Sequence, residues 1–385
     1  MAETLLASGE FERKPHREVE KKYLPLFPET IEHFRADALA VEQYYLSHPD
    51  EAFSLRLRET CHKDGTRRYE ATLKDTGEMT EEGLDRLEVT AEVSPETYQA
   101  YFNTDETPRI RKLRAEPSKH IAIDFFEDGH IQAEAEDPIA WQAFRDRHHL
   151  TYGFVDITGD RLANNEFRAH LQYRRDHGGK EALEIPDELD ARKIAEAIWR
   201  HHHTAPHTIV TVAGRSGSGK TTVIRDIQQQ LGQNGVDSIV LSTDDYHRGN
   251  TWLEKYNGDI WSDWDAPIVY DIDALQADIR RLLSGDTIVR QRFDFATIEP
   301  TYEGVVEPAP IILIEGIYAR HPSFDNLASL RLELPTPLAT CIGRRLLRDL
   351  RERPVFADPE KSLRYMLENA ELAYRGQTTS EVVTP

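Results

Sequence analysis

Gly214-Arg215-Ser216-Gly217-Ser218-Gly219-Lys220-Thr221 fits G-x-x-x-x-G-K-[ST], a spacing that lets backbone N–H groups close around a chain of phosphates. The glycines allow the inward turn, and the start of the following helix adds the positive end of its dipole. Lys220 would reach the β and γ phosphates and the Thr221 hydroxyl would sit on Mg²⁺. Two acids stand where an open parallel sheet binds its ligands, just past the carboxyl ends of apolar runs. Asp244 follows Ser238 to Leu241, and Glu315 follows Ile311 to Ile314. A carboxylate there can take the proton of an attacking hydroxyl or hold Mg²⁺. Asp245 reads instead as a loop carboxylate capping the next turn. Further on, Arg344, Arg345, Arg348, Arg351 and Arg353 crowd one helical stretch with few acids between them, the pattern of a lid that faces phosphate.

A second set of charges recurs with period two. Glu18, Glu20 and Lys22 share one side of a strand, as do Arg56 and Arg58, Thr72 and Lys74, Arg86 and Glu88, Lys112 and Arg114, and Glu134 and Glu136. Leu55, Leu57, Leu73, Leu87 and Val89 take the opposite faces. An antiparallel sheet with one wet face and a closed barrel with a polar interior both give this alternation. The mixture favours the barrel, because carboxylates on the first and late strands can hold a divalent cation while Arg and Lys between them hold phosphates.

These residues must be positioned by two different architectures. Up to about residue 170 the chain reads as strands, and from about 205 strands alternate with helical stretches. We expect a β-rich unit over 1–184, a helical linker over 185–205 ending at Thr204-Ala205-Pro206, and a parallel-sheet α/β unit over 206–385. The apolar run Thr208 to Ala213 feeds the phosphate loop and Thr222 to Ile227 continues as a helix. His201, His202 and His203 point in different directions on a helix and read as a solvated end, not as a metal tract. The chain has 385 residues and a formal net charge of -21, which argues against nucleic acid as a partner. Cys61 and Cys341 form no metal or disulfide pattern, in keeping with a reducing cytoplasm. Met1 to Lys14 lacks a signal-peptide core and no apolar run is long enough to span a membrane. Small-molecule substrates are the expected partners, and a homo-oligomer is compatible with the sequence.

Over residues 206–354 the chain resembles the uridine kinase and phosphoribulokinase group of P-loop kinases. The resemblance rests on Gly214 to Thr222, Leu241-Ser242-Thr243-Asp244, Trp264-Asp265-Ala266-Pro267, Phe293-Asp294-Phe295, Ile314-Glu315-Gly316-Ile317, and Arg344 to Asp349 with Arg353. It implies ATP as phosphate donor with Mg²⁺ near Thr221 and Glu315. Gly214, Ser216, Gly217, Ser218, Gly219, Lys220, Thr221 and Thr222 would hold the nucleotide, Asp244 would be the base, and Asp265 would hold the acceptor's ribose. Arg345, Arg348 and Arg353 would stabilise the transfer. Phe293 and Ile298 stand where the nucleoside kinases place a Tyr and a His that read the base, so polar base recognition is lost. Only one helical stretch, Glu360 to Tyr374, follows the lid, less than the full kinase is expected to carry.

Over residues 15–170 the chain resembles the CYTH, or triphosphate tunnel metalloenzyme, superfamily. The E-x-E-x-K run at Glu18, Glu20 and Lys22 is followed in order by Arg56-Leu57-Arg58, Leu73-Lys74, Arg86-Leu87-Glu88, Lys112-Leu113-Arg114, Ile123-Asp124-Phe125, Glu134-Ala135-Glu136 and Asp156 to Asp160. That implies an eight-stranded antiparallel tunnel with Glu18, Glu20, Glu134 and Glu136 near Mg²⁺ or Mn²⁺. Lys22, Arg56, Arg58, Lys74, Arg86, Lys112 and Arg114 would surround the phosphates. The expected protein is a bifunctional enzyme, a metal-dependent triphosphatase joined to an ATP-dependent kinase with a nucleoside-like acceptor. A hydrolase whose P-loop half only binds nucleotide, and a nucleotide-regulated binding module, are the alternatives.

Overall fold

The computed structural model describes residues 17–103, 106–150, 153–183, 185–186, 189–204, 207–256 and 258–377. The readings of Met1 to Lys14 and of the Ala205-Pro206 step fall outside these residues. The chain separates into two compact units, Met1–Ile185 and Pro186–Pro385.

Eight strands make the barrel of the first unit: β1 Arg17–Pro25, β2 Leu39–Tyr45, β3 Phe53–Cys61, β4 Arg67–Asp75, β5 Leu84–Glu92, β6 Arg109–Ser118, β7 Ile121–Phe126 and β8 Ile131–Ala135, with the short strands Glu78–Met79 and Phe154–Asp156 added at its edges. They pair antiparallel in the order β1-β8-β7-β6-β2-β3-β4-β5, and β5 pairs back with β1 to close an eight-stranded barrel. The alternation seen in the sequence decides which face turns in. Leu55, Leu57, Leu73 and Val89 are fully buried on the outer wall, where Tyr98 of the helix Pro95–Tyr101 packs its ring against Tyr44 and Tyr69. On another side, Trp141 and Phe144 of the helix Pro138–Arg147 cover Ile123, Phe125, Ala133 and Ala135. With the apolar positions taken by these helices, the charged positions have only the interior left.

In the second unit β9 Thr208–Ala213, β10 Ser238–Ser242, β13 Ile311–Gly316 and β14 Leu330–Glu333 form a parallel sheet in the order β10-β13-β9-β14. β11 Ile288–Asp294 and β12 Glu299–Val306 make a separate antiparallel hairpin. The helix Lys220–Gln233 packs Ile224, Ile227 and Leu231 against Val210, Val212 and Leu313. The helix Ala191–His202, expected as part of a linker, joins this same core through Ile194, Ala195 and Ile198. Its apolar stripe is buried in the α/β unit, so the segment is a wall of that unit and not a tether.

Candidate functional site

The barrel encloses a cavity of about 660 Å³. Strand register places Glu18 opposite Arg86, Lys22 opposite Glu134 and Lys74 opposite Glu88, so opposite charges meet across neighbouring strands on the inner face. Lys74 Nζ lies 2.7 Å from both Glu18 and Glu88. Arg86 is 2.5 Å from Glu20 and 3.5 Å from Glu18. Lys22 stands 3.6 Å from Glu20 and 3.5 Å from Glu134, which also accepts from Arg114. Burial would raise Glu20, but Lys22 and Arg86 win and hold it below the usual carboxylate range. Glu18 goes the other way: burial pushes it up to about 7 against Lys74, with Glu88 and Glu20 adding to the rise.

The cations are less evenly served. Arg56 reaches Glu88 at only 3.8 Å, and among the described residues no acid stands within ion-pair distance of Arg58. The buried Nε atoms of both lack an acceptor. Burial, then Arg56 and Arg114, push the Arg58 guanidinium down to about 9. Buried guanidinium N–H groups without an acceptor on a cavity wall are donors an anion can satisfy.

Two expected members sit at the margins, Lys112 outside the cavity lining and Glu136 at its rim. Lys112 does not line the cavity; its side chain is fully buried, 2.5 Å from Asp124, because Asp124 also faces inward on β7 and captures it. Glu136 lies past the end of β8, half-exposed at the rim and 3.1 Å from His120. Glu88, left without a role in the sequence, is central to the charge network. Glu166, from the helix Asn165–Asp176, enters the cavity wall, bonded to the Ser47 hydroxyl and pushed up to about 7 by burial. Among the described residues no three of His, Cys, Asp and Glu converge as a metal site, since each inner carboxylate leans on Lys or Arg. The donors Glu18, Glu20 and Glu134 are all oxygen, the chemistry of Mg²⁺ or Mn²⁺, and Glu18 is the one whose raised value a cation would relieve.

In the second unit the phosphate loop, Asp244 and Glu315 meet at the carboxyl edge of the sheet. Gly217 and Gly219 hold φ of +84° and +93°, and a Cβ at 217 would lie 2.3 Å from the Cys341 carbonyl. Lys220 Nζ donates to the carbonyls of Gly214 at 2.8 Å and Arg215 at 2.9 Å. Burial lowers Lys220 while Asp244 and Glu315 oppose the fall. Burial, then Asp244, raise Glu315. Ser218 Oγ is buried without a partner, and Thr221 lines a cavity of about 360 Å³ with Ser242 and Glu315. Thr222 is exposed on the next position of the helix. Gly316 (φ +138°) lets the strand end pass Thr243, whose Oγ1 would sit 1.8 Å from an added Cβ. Asp245 accepts from Arg292 at 3.0 Å and from Phe293 N–H at 3.2 Å, tying the hairpin to the sheet.

The arginines of the helix Leu338–Glu352 divide. Arg348 donates to Ser216 Oγ at 3.1 Å in the phosphate loop. Arg345, expected over the phosphates, pairs with Asp265 at 2.9 Å and stands 3.4 Å from Asp349. Arg353 lies 3.2 Å from Asp349 and stacks over the Phe295 ring at 3.7 Å. Asp349, 2% exposed, gathers three guanidinium groups and was not singled out in the sequence. Asp265 is buried, and its Oδ2 accepts from Arg345 and, at 2.6 Å, from the Tyr365 hydroxyl.

Residues 209–357 match the model of the Phosphoribulokinase / Uridine kinase family. A uridine kinase of Brevibacillus brevis is 30% identical over 147 residues, covering 38% of this chain and 67% of the relative. One from Deinococcus deserti is 32% identical over 168 residues, 43% of this chain and 78% of the relative. A solved inorganic triphosphatase is 22% identical, covers 40% of this chain and 93% of its own, and has a TM-score of 0.25, a likeness that carries no weight by itself. With the phosphate loop, Asp244, Asp265, Glu315 and the arginine-rich helix all inside the matched segment, the chain belongs to the phosphoribulokinase and uridine kinase family.

Proposed function

We propose that the chain combines two phosphate-handling activities, an ATP-dependent phosphotransferase in its second unit and a CYTH-type triphosphatase in its barrel. The observation that carries the pairing is the barrel interior, where the buried Nε atoms of Arg56 and Arg58 lack hydrogen-bond acceptors beside a cluster of buried carboxylates. Kinase action follows from the family and from Asp244 and Lys220 at one sheet edge. Asp244 takes the proton of an acceptor hydroxyl as its oxygen bonds to the γ-phosphorus, and the bond to the β-phosphate oxygen breaks to leave ADP. Lys220 leaves its two carbonyl partners for phosphate oxygens, and Arg348 lies close enough to the loop to follow. Thr221 and Glu315 would hold Mg²⁺, which supplies charge neutralisation to the phosphates when bound.

In the barrel, Lys22, Arg56, Arg58, Lys74, Arg86 and Arg114 would bind a triphosphate, releasing their carboxylate partners as they do. Glu18, Glu20 and Glu134, with Glu136 at the rim, would then hold Mg²⁺ or Mn²⁺, which supplies activation of water. Small phosphorylated substrates are the partners this chemistry calls for, in the cytoplasm. Among the described residues no helix is long and apolar enough to cross a membrane.

A second reading has the α/β unit bind nucleotide without transferring phosphate, and the engagement of Asp265 by Arg345 and Tyr365 favours it. The test is to assay purified protein for ADP formation from ATP with a panel of nucleosides and small alcohols, and for phosphate release from tripolyphosphate, alongside Lys220→Ala and Glu18→Ala. Two activities, each lost in a different variant, is the expected result. Phosphate release lost only in Glu18→Ala, with no acceptor phosphorylated, supports the second reading, and absence of turnover with ATP and with tripolyphosphate refutes both.

A further inference from the structure

The family match ends at residue 357, yet the side chain that closes the acceptor pocket comes from beyond it. Tyr365 ends the helix Pro359–Tyr365 and is 3% exposed. Its hydroxyl donates to Asp265 Oδ2 at 2.6 Å and accepts from the Asp265 N–H at 3.0 Å. A single phenol therefore occupies both a carboxylate lone pair and a backbone donor, groups that an incoming hydroxyl could otherwise use. Burial, then the Asp265 charge, push this phenol well above its ordinary value, so it remains a donor. Arg345 shares the same carboxylate oxygen, and the Tyr318 hydroxyl holds the Asp265 carbonyl at 2.6 Å.

The helix passes directly into a π-helical turn, Met366–Ala370, a rare geometry that re-aims side chains and recurs at functional sites. The cavity beside Asp244, Asp265, Phe293, Arg345 and Arg353 measures about 20 Å³. That is room for about one water molecule. The hairpin adds no polar reader of a base, since Phe293 is buried among Trp264, His247 and Phe295.

We propose that Tyr365 is a specificity-determining residue that shuts Asp265 against a ribose diol, so that this chain phosphorylates a small hydroxyl compound and not a ribonucleoside. The inference rests on the kinase reading of the second unit. A ribose entering the native site must first displace a hydrogen bond to a charged group, a cost of about tenfold or more in affinity.

The test is calorimetric titration of uridine into the full chain, with and without a non-hydrolysable ATP analogue. Tyr365→Phe, which keeps the ring and loses the hydroxyl, is expected to bind uridine at least about tenfold more tightly than the native chain. Tyr318→Phe loses only the bond to the Asp265 carbonyl and is expected to leave uridine affinity where it was, which a general loosening would not do. Unchanged or weaker uridine binding by a Tyr365→Phe protein that melts like the native chain overturns the assignment, as does an equal gain in Tyr318→Phe. If Tyr365→Phe does not fold, Tyr365→Leu is read by the same criteria. Failure of the analogue to bind any of these proteins counts against the kinase reading, whereas the titrations without nucleotide still report on Tyr365.

Discussion

Replacing Arg58 by methionine should make the empty protein more stable and the barrel unable to hold its substrate. The guanidinium is pushed down from its ordinary value to about 9, by burial first and then by Arg56 and Arg114. At 1.36 kcal/mol per pH unit, that is ~5 kcal/mol against the charged form. Near neutral pH Arg58 is protonated both folded and unfolded, so all of this disfavour acts on the native state. Water in the cavity and relaxation of the wall reduce it to about 1–2 kcal/mol. Methionine keeps an unbranched apolar stem and carries no charge, so Arg58→Met should raise the barrel's melting temperature by about 2–8 °C. Calorimetric scans of the full chain would measure it, with and without tripolyphosphate. At a hundred times its dissociation constant the ligand stabilises the native barrel by ~2.7 kcal/mol, and the variant should lose most of that protection. A lowered melting temperature, or equal protection of both proteins, would refute the view that Arg58 is held ready for an anion.

Glu18 should set a pH dependence. Its folded value, raised from 4.5 to about 7 by burial, means that the folded chain binds the proton more tightly. The contribution to stability is therefore full below pH 4.5 and is lost as the pH rises through about 7. Urea unfolding at pH 5 and 7.5 should show that Glu18→Gln removes ~1–3 kcal/mol of this slope. Gly316→Ala forces a Cβ to within 1.8 Å of Thr243 Oγ1 at φ +138°; a loss of about 3 kcal/mol or more is expected by thermal melting. Asp349→Asn leaves Arg345, Arg348 and Arg353 without their shared carboxylate, and should cost the second unit about 3 kcal/mol in the same assay.

Both architectures were legible because each rests on a local rule. Strand, glycine-rich loop and helix follow one another in sequence around Lys220, and the period-two charges of β1, β3, β5 and β6 place themselves inside once Leu55, Leu57 and Val89 claim the outside. Alternation gives the face of a strand but not the depth along the barrel. Lys112 and Glu136 have the same parity as Arg114 and Glu134, yet one lies below the cavity against Asp124 and the other at the rim against His120. Partners distant in the chain were also hidden. Arg345 meets Asp265 across 80 residues, and its charge alone cannot say whether a phosphate or a carboxylate awaits it. Tyr365 reads as an ordinary core aromatic until its hydroxyl is found on Asp265. Ile194 and Ile198 announce a buried helix face, but not that the P-loop helix lies beneath it.

The close passage of Gly217 under Cys341 has a mechanical consequence. A Cβ there would overlap the Cys341 carbonyl, Thr336 donates to the Ser218 carbonyl at 2.8 Å, and Arg348 grips Ser216. The loop and the helix that carries Arg345 mesh like two cogs, with no clearance in which one could turn alone. Phosphates settling into the loop would therefore press on the helix whose Arg345 holds Asp265.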